Sequence, residues 1–206
     1  NCDPNYGLIQ QLAAECRMPL AYSGGVKSIG QVERITALGV EKVAISSAGI
    51  ANPSLIEEAS SKVGSQSVVF VVDVRSDKKG NYRVYTHNGK KDTGQSPKNL
   101  ARIAENSGAG EFVINNIDRD GMGCGYDLKL VSDCREVCNL PMTILGGAGS
   151  LDDISALTVS TPLIGAAAGS LFVFKGKYRA VLINYPDRNR KDELLCPPAK
   201  SNLLNI

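Results

Sequence analysis

Apolar residues along this chain fall in short runs separated by stretches of mixed character. The runs at 19–22, 42–46, 67–74, 111–117, 141–145 and 162–168 are rich in Val and Ile. Near-continuous runs of this length predict strands buried on both faces. The stretches at 3–16, 28–39, 52–64, 96–108 and 127–138 carry apolar residues at helical spacing. Several open on Asp, Asn or Ser with Pro just inside, and several close on Gly, as capped helices do. Alternating strands and helices predict an α/β fold with a parallel sheet covered by helices. Residues 80–94 interrupt the alternation, and Asn88-Gly89 within them supplies a tight turn. They predict a β-hairpin inserted after the third strand.

Six such strands fit two architectures. An eight-stranded (β/α)8 barrel takes about 250 residues, and the chain has 206. The expectation is a barrel lacking its first strand, first helix and second strand, with Asn1 in place of an initiating Met pointing the same way. An open doubly wound sheet is the alternative. Residues 1–186 would form the barrel, and the polar segment 187–206 a poorly ordered tail.

Composition narrows the function more than the fold. A net charge of +2 gives no reason to expect nucleic acid or a membrane surface. No apolar run reaches the roughly 18 residues of a membrane span. Six cysteines include no C-x-x-C pair, and the one histidine, His87, cannot build a metal cluster. Free thiols, a cytoplasmic location and no metal or cofactor are the expectation.

The clearest internal signal is a repeat. "PLAYSGGVKS" (19–28) and "PMTILGGAGS" (141–150) align at an offset of 122 residues, and the alignment continues without a gap to Ser47-Ala48 over Gly169-Ser170. Each copy holds a strand ending in Gly-Gly, a helix, a second strand and a turn of small residues. This predicts a barrel of two duplicated halves, the spacing being too wide for a repeat array. Glycines let backbone N–H groups approach a phosphate closely, so paired loops of this kind predict two phosphate sites and a ligand phosphorylated at both ends. Asp73 ends an otherwise apolar strand, where a carboxylate is tolerated if it faces the barrel mouth, and it is the candidate acid–base group; a solvated strand-end aspartate accounts for it equally well. The stretch 115–127 offers Asp118, Asp120 and Gly121 at the end of another strand; a capped loop ahead of the helix at Asp127 accounts for it equally well.

The segments "INNIDRDGMGCGYD", "LGGAGS", "VEKVAISSAGIANPSLIEEASSKVGSQSVVFVVDV" and "YTHNGKKDTG" resemble the cyclase subunit of imidazole glycerol phosphate synthase over about residues 3–186. That resemblance implies a (β/α)8 barrel that takes ammonia from a glutaminase subunit docked at its N-terminal face. The barrel would convert a bis-phosphorylated ribulosyl aminoimidazole carboxamide nucleotide to imidazole glycerol phosphate and aminoimidazole carboxamide ribotide. It assigns Asp73 as one of two catalytic aspartates, the other lying on a first strand not present here. Gly24, Gly25, Ser46 and Ser47 would hold one phosphate, and Gly146, Gly147, Gly169 and Ser170 the other, with Asp120 and Gly121 beside it. Asn88 would line the substrate pocket, and Lys42 and Glu111 would gate the ammonia path. Ser23 and the pair Ser46-Ser47 depart from the commoner glycine and Asn-Thr. The segment 168–186 is more like a side branch associated with amidation of surface-polysaccharide sugars.

Overall fold

A computed structural model describes residues 3–195. Six parallel strands form one sheet: β1 (Ala21–Ser23), β2 (Lys42–Ile45), β3 (Val68–Ser76), β6 (Glu111–Asn116), β7 (Met142–Leu145) and β8 (Ile164–Ala167). They lie in chain order, β1-β2-β3-β6-β7-β8. This order has no switch point, which sets aside the doubly wound alternative. The interruption after β3 is the hairpin expected from the sequence. Its strand β4 (Tyr82–Thr86) pairs antiparallel with β3, and β5 (Lys91–Asp92) pairs with β4.

The strands alternate between two environments. Val43, Ile45, Val68, Phe70, Val72, Phe112, Ile114 and Ile144 are fully buried beneath the helices. Each such side chain stabilises the fold by about 1.5–3 kcal/mol. Their neighbours Lys42, Val71, Asp73, Glu111, Val113, Asn115, Thr143 and Leu145 lie on the other face and are only half-buried. A period of two therefore separates a dry outer face from an inner face that carries the polar side chains.

The helices are α1 (Tyr6–Glu15), α2 (Ile29–Ala37), α3 (Ser47–Ala51), α4 (Ser54–Val63), α5 (Pro97–Asn106), α6 (Leu128–Arg135), α7 (Leu151–Ser160), α8 (Ser170–Val173) and α9 (Arg188–Leu195). Helix α5 starts as expected: Ser96 accepts the Asn99 N–H, with Pro97 at the first position. Helices α3 and α8 lie outside the segments expected from the sequence, whereas α7 is the helix that the repeat places between β7 and β8. Helix α7 carries a Ser150–Asp153 capping box at its start. Elements of the first repeat return in the second: α1 with α6, β1 with β7, α2 with α7, β2 with β8 and α3 with α8.

The segment 187–206 departs from expectation over its first part. Arg188–Leu195 is helical and lies against α7, with Leu194 buried and the Leu194 carbonyl accepting from Thr158 Oγ1 at 3.4 Å. Residues 196–206 lie outside those described. No helix among the described residues is long and apolar enough to cross a membrane.

Candidate active site

The C-terminal ends of the parallel strands surround a cavity of about 560 Å³. Gly24 and Gly25 follow β1, and Ser46 and Ser47 follow β2; all four line it. Both glycines have positive φ, 125° and 70°, a conformation that side-chain-bearing residues rarely adopt. Asp73 stands on β3 directly across from Asn115 on β6, and Asn115 Nδ2 donates to Asp73 Oδ1 at 2.8 Å. The hairpin tip completes the wall. His87, Asn88 and Gly89 have φ of 55°, 57° and 73°. Three successive residues in this region curl the tip so that His87 and Asn88 line the cavity.

A second cavity, about 160 Å³, lies beside the first. It is lined by Asp120 and Gly121, by Gly146 and Gly147 after β7, and by Gly169 and Ser170 after β8. Leu145 lines both cavities and forms their common wall. The residues expected around the first strand pair therefore gather in one cavity with Asp73 and Asn88. Those expected around the second pair gather in the other.

The second cavity is braced by the loop 117–127. The Gly125 N–H donates to the Gly147 carbonyl at 2.8 Å. Arg119 donates to the Gly125 carbonyl at 3.0 Å, and Tyr126 Oη donates to the Ala167 carbonyl at 3.0 Å. A Cβ on Gly146 would collide with the Asn116 carbonyl, and one on Gly147 with the Gly125 carbonyl. Asp127 anchors the loop's end. Its carboxylate accepts from Tyr82 Oη at 2.9 Å, Asn116 Nδ2 at 3.1 Å and the Leu130 N–H at 3.1 Å, so it caps α6 while tying in β4 and β6. Burial, helped by Asp153, pushes the Tyr126 phenol up to about 12. Burial and the hydrogen bond to Asp127 hold Tyr82 well above the ordinary phenol value.

At the opposite end of the inner face, Lys42 Nζ donates to Glu111 Oε2 at 2.6 Å. Lys42 is on β2 and Glu111 on β6, so the pair reaches across β3, as a sheet curled around its inner face allows. Thr143 Oγ1 donates to the other carboxylate oxygen, also at 2.6 Å. Both oxygens of a largely buried carboxylate are thereby satisfied. Among the described residues no group of His, Cys, Asp and Glu is arranged to hold a metal ion.

Asn115, His87 and Thr143 are among the residues of these clusters that escaped the sequence reading. The signal for Asn115 was present, since counting by twos from Glu111 places it on the inner face. Asp118, offered by the sequence beside Asp120, lines neither cavity; Arg75 Nε and the Ser76 N–H hold it at 2.9 and 3.1 Å.

Comparison with known proteins gives the family. Residues 2–179 match the family described as histidine biosynthesis protein. A Leptospira interrogans protein, provisionally named imidazole glycerol phosphate synthase subunit HisF, is 49% identical over 192 residues, covering 93% of this chain and 76% of that protein. A Vibrio vulnificus protein provisionally named as the same synthase's subunit hisF3 is 48% identical over 194 residues, 94% of this chain and 75% of its own length. The imidazole glycerol phosphate synthase subunit HisF of Lactiplantibacillus plantarum is 39% identical over 168 residues, 81% of this chain and 67% of that protein. Strand order, paired cavities and these matches together make the chain a member of the histidine biosynthesis family, of the HisF-like imidazole glycerol phosphate synthase cyclase type.

Proposed function

We propose that this protein is the cyclase component of a glutamine-dependent imidazole glycerol phosphate synthase. The observation that carries the reading is the pair of glycine-walled cavities sharing Leu145, with a single carboxylate, Asp73, inside the larger one. Gly24, Gly25, Ser46 and Ser47 hold one phosphate of the ribulosyl substrate through backbone N–H and hydroxyl groups. Gly146, Gly147, Gly169 and Ser170 hold the other. Asp120 and Gly121 complete that cup, and because a carboxylate repels phosphate at contact, Asp120 faces the substrate's hydroxyls. Asn88 closes over the middle of the chain. Asn115 fixes Asp73 Oδ1 and leaves Oδ2 to take and return a proton during cleavage and ring closure.

Ammonia comes from a glutaminase partner docked at the N-terminal face, and the Lys42–Glu111 pair gates its entry. From there it crosses the inner face between the small side chains of Ala44, Val71 and Val113. Residues 1–186 constitute the catalytic barrel in this reading, with α9 an appendage, and the protein works in the cytoplasm without a cofactor. The sheet has free edges at β1 and β8 among the described residues, and Met18 and Leu163, which precede these strands in the chain, are exposed. Two further strands between those edges would close an eight-stranded barrel of two duplicated halves.

A second reading is favoured by the segment 168–186, which is more like the side branch associated with surface-polysaccharide sugars. In it the barrel supplies ammonia for amidating a surface-polysaccharide sugar. Turnover of the ribulosyl nucleotide with an ammonium salt separates the two. Under the first reading the wild type turns over and Asp73→Asn falls by roughly 100-fold or more. Equal rates in the two proteins would remove Asp73 from the chemistry, and a wild type inert toward this substrate would favour the second reading.

A further inference from the structure

The two cavities are joined at the rim by a cation that lines neither. Arg75, just beyond Asp73 on β3, donates from Nε to Asp118 Oδ1 at 2.9 Å and from Nη1 to the Gly89 carbonyl at 3.3 Å. Asp118 uses its other oxygen to accept the Ser76 N–H at 3.1 Å. The two partners of Arg75 belong to different walls. Gly89 sits in the hairpin tip that presents His87 and Asn88 to the larger cavity. Asp118 opens the loop that carries Asp120 and Gly121 into the smaller one. The segments also touch directly, because a Cβ on Gly89 would lie 2.7 Å from Ile117 Cδ1.

We propose that Arg75 is a positioning residue that holds the hairpin wall of the larger cavity, with Asn88, against the loop that carries Asp120 and Gly121 into the smaller one, and so favours ligands that reach from one cavity into the other. This rests on the two-phosphate reading above. A half-exposed ion pair stabilises little by itself. Its leverage is on two-point binding: once one phosphate is seated, the second binds at an effective concentration set by how well the cups match the ligand's span. Loosening the joint lowers that effective concentration and leaves each cup intact. The geometry also asks for arginine. A guanidinium fork can hold Asp118 and the Gly89 carbonyl together, whereas a lysine ammonium is a single point charge.

The test is calorimetric titration of wild type, Arg75→Met, Arg75→Lys and Asp118→Asn with two probes, inorganic phosphate and the bis-phosphorylated ribulosyl nucleotide in the absence of ammonia. All three variants should bind inorganic phosphate as the wild type does and the two-phosphate ligand roughly fivefold more weakly, with Arg75→Lys giving no rescue. Undiminished affinity of Arg75→Met for the two-phosphate ligand would overturn the inference. A parallel loss for both probes would do so as well, since that is general loosening and not a loss of two-point binding. A wild type that binds the two-phosphate ligand no more tightly than phosphate would instead bring down the two-cup reading itself.

Discussion

At Gly24-Gly25 the chain turns through positive φ, and a methyl group added to Gly24 would meet nothing among the described residues nearer than the Tyr22 hydroxyl, at 4.0 Å. At Gly146-Gly147 the same turn is pressed against the carbonyls of Asn116 and Gly125. The two stretches read almost alike. In the first, glycine answers a torsional requirement. In the second it answers that requirement and a steric one, because the loop 117–127 lies directly on the turn. Each cup rests on a strand pair at one end of the sheet, β1-β2 for the first and β7-β8 for the second, so the difference lies in the loop and not in the sheet. Similar residues can thus frame a cup that yields and a cup that is locked.

That contrast can be broken by experiment. Gly147→Ala should be the costliest change, about 3–4 kcal/mol in chemical denaturation, because torsional strain and a backbone collision add. Gly24→Ala should cost about 1–2 kcal/mol from torsion alone. If the two substitutions proved equal, the difference between locked and yielding cups would be wrong. A finer comparison uses the brace itself. Tyr126→Phe removes the hydrogen bond to the Ala167 carbonyl and should cost about 1 kcal/mol. It should also change the alkaline limb of stability. The folded phenol is raised to about 12 from an ordinary 10.0, so above pH 10 the unfolded chain releases a proton that the folded one retains. Stability should therefore fall as pH rises from 10 toward 12, and melting temperatures across that range should fall less steeply in Tyr126→Phe.

Much of this was legible because strands and cups are local events. Each strand is one apolar run, and each Gly-Gly turn announces its own conformation. What escaped depends on residues far apart in the chain. Asn115 meets Asp73 across 42 positions, and Thr143 meets Glu111 across 32. Neither pairing exists until the sheet sets the register. His87 read only as too solitary for a metal site, and its place on the cavity wall follows from the fold-back of the hairpin. Asp118 and Asp120 are two residues apart and chemically identical, yet one is spent on Arg75 and the other lines a cup. Helix α9 was hidden by its charge.

The alternation along β2, β3 and β6 has a consequence for how the protein can misfold. Slipping β6 by one position against β3 would drive Glu111 and Asn115 under the helices and turn Phe112 and Ile114 onto the inner face. Every polar group lost from the site would become an uncompensated group in the interior. A chain with a scrambled site would thus also be an unstable one, and cellular quality control would need no knowledge of catalysis to remove it.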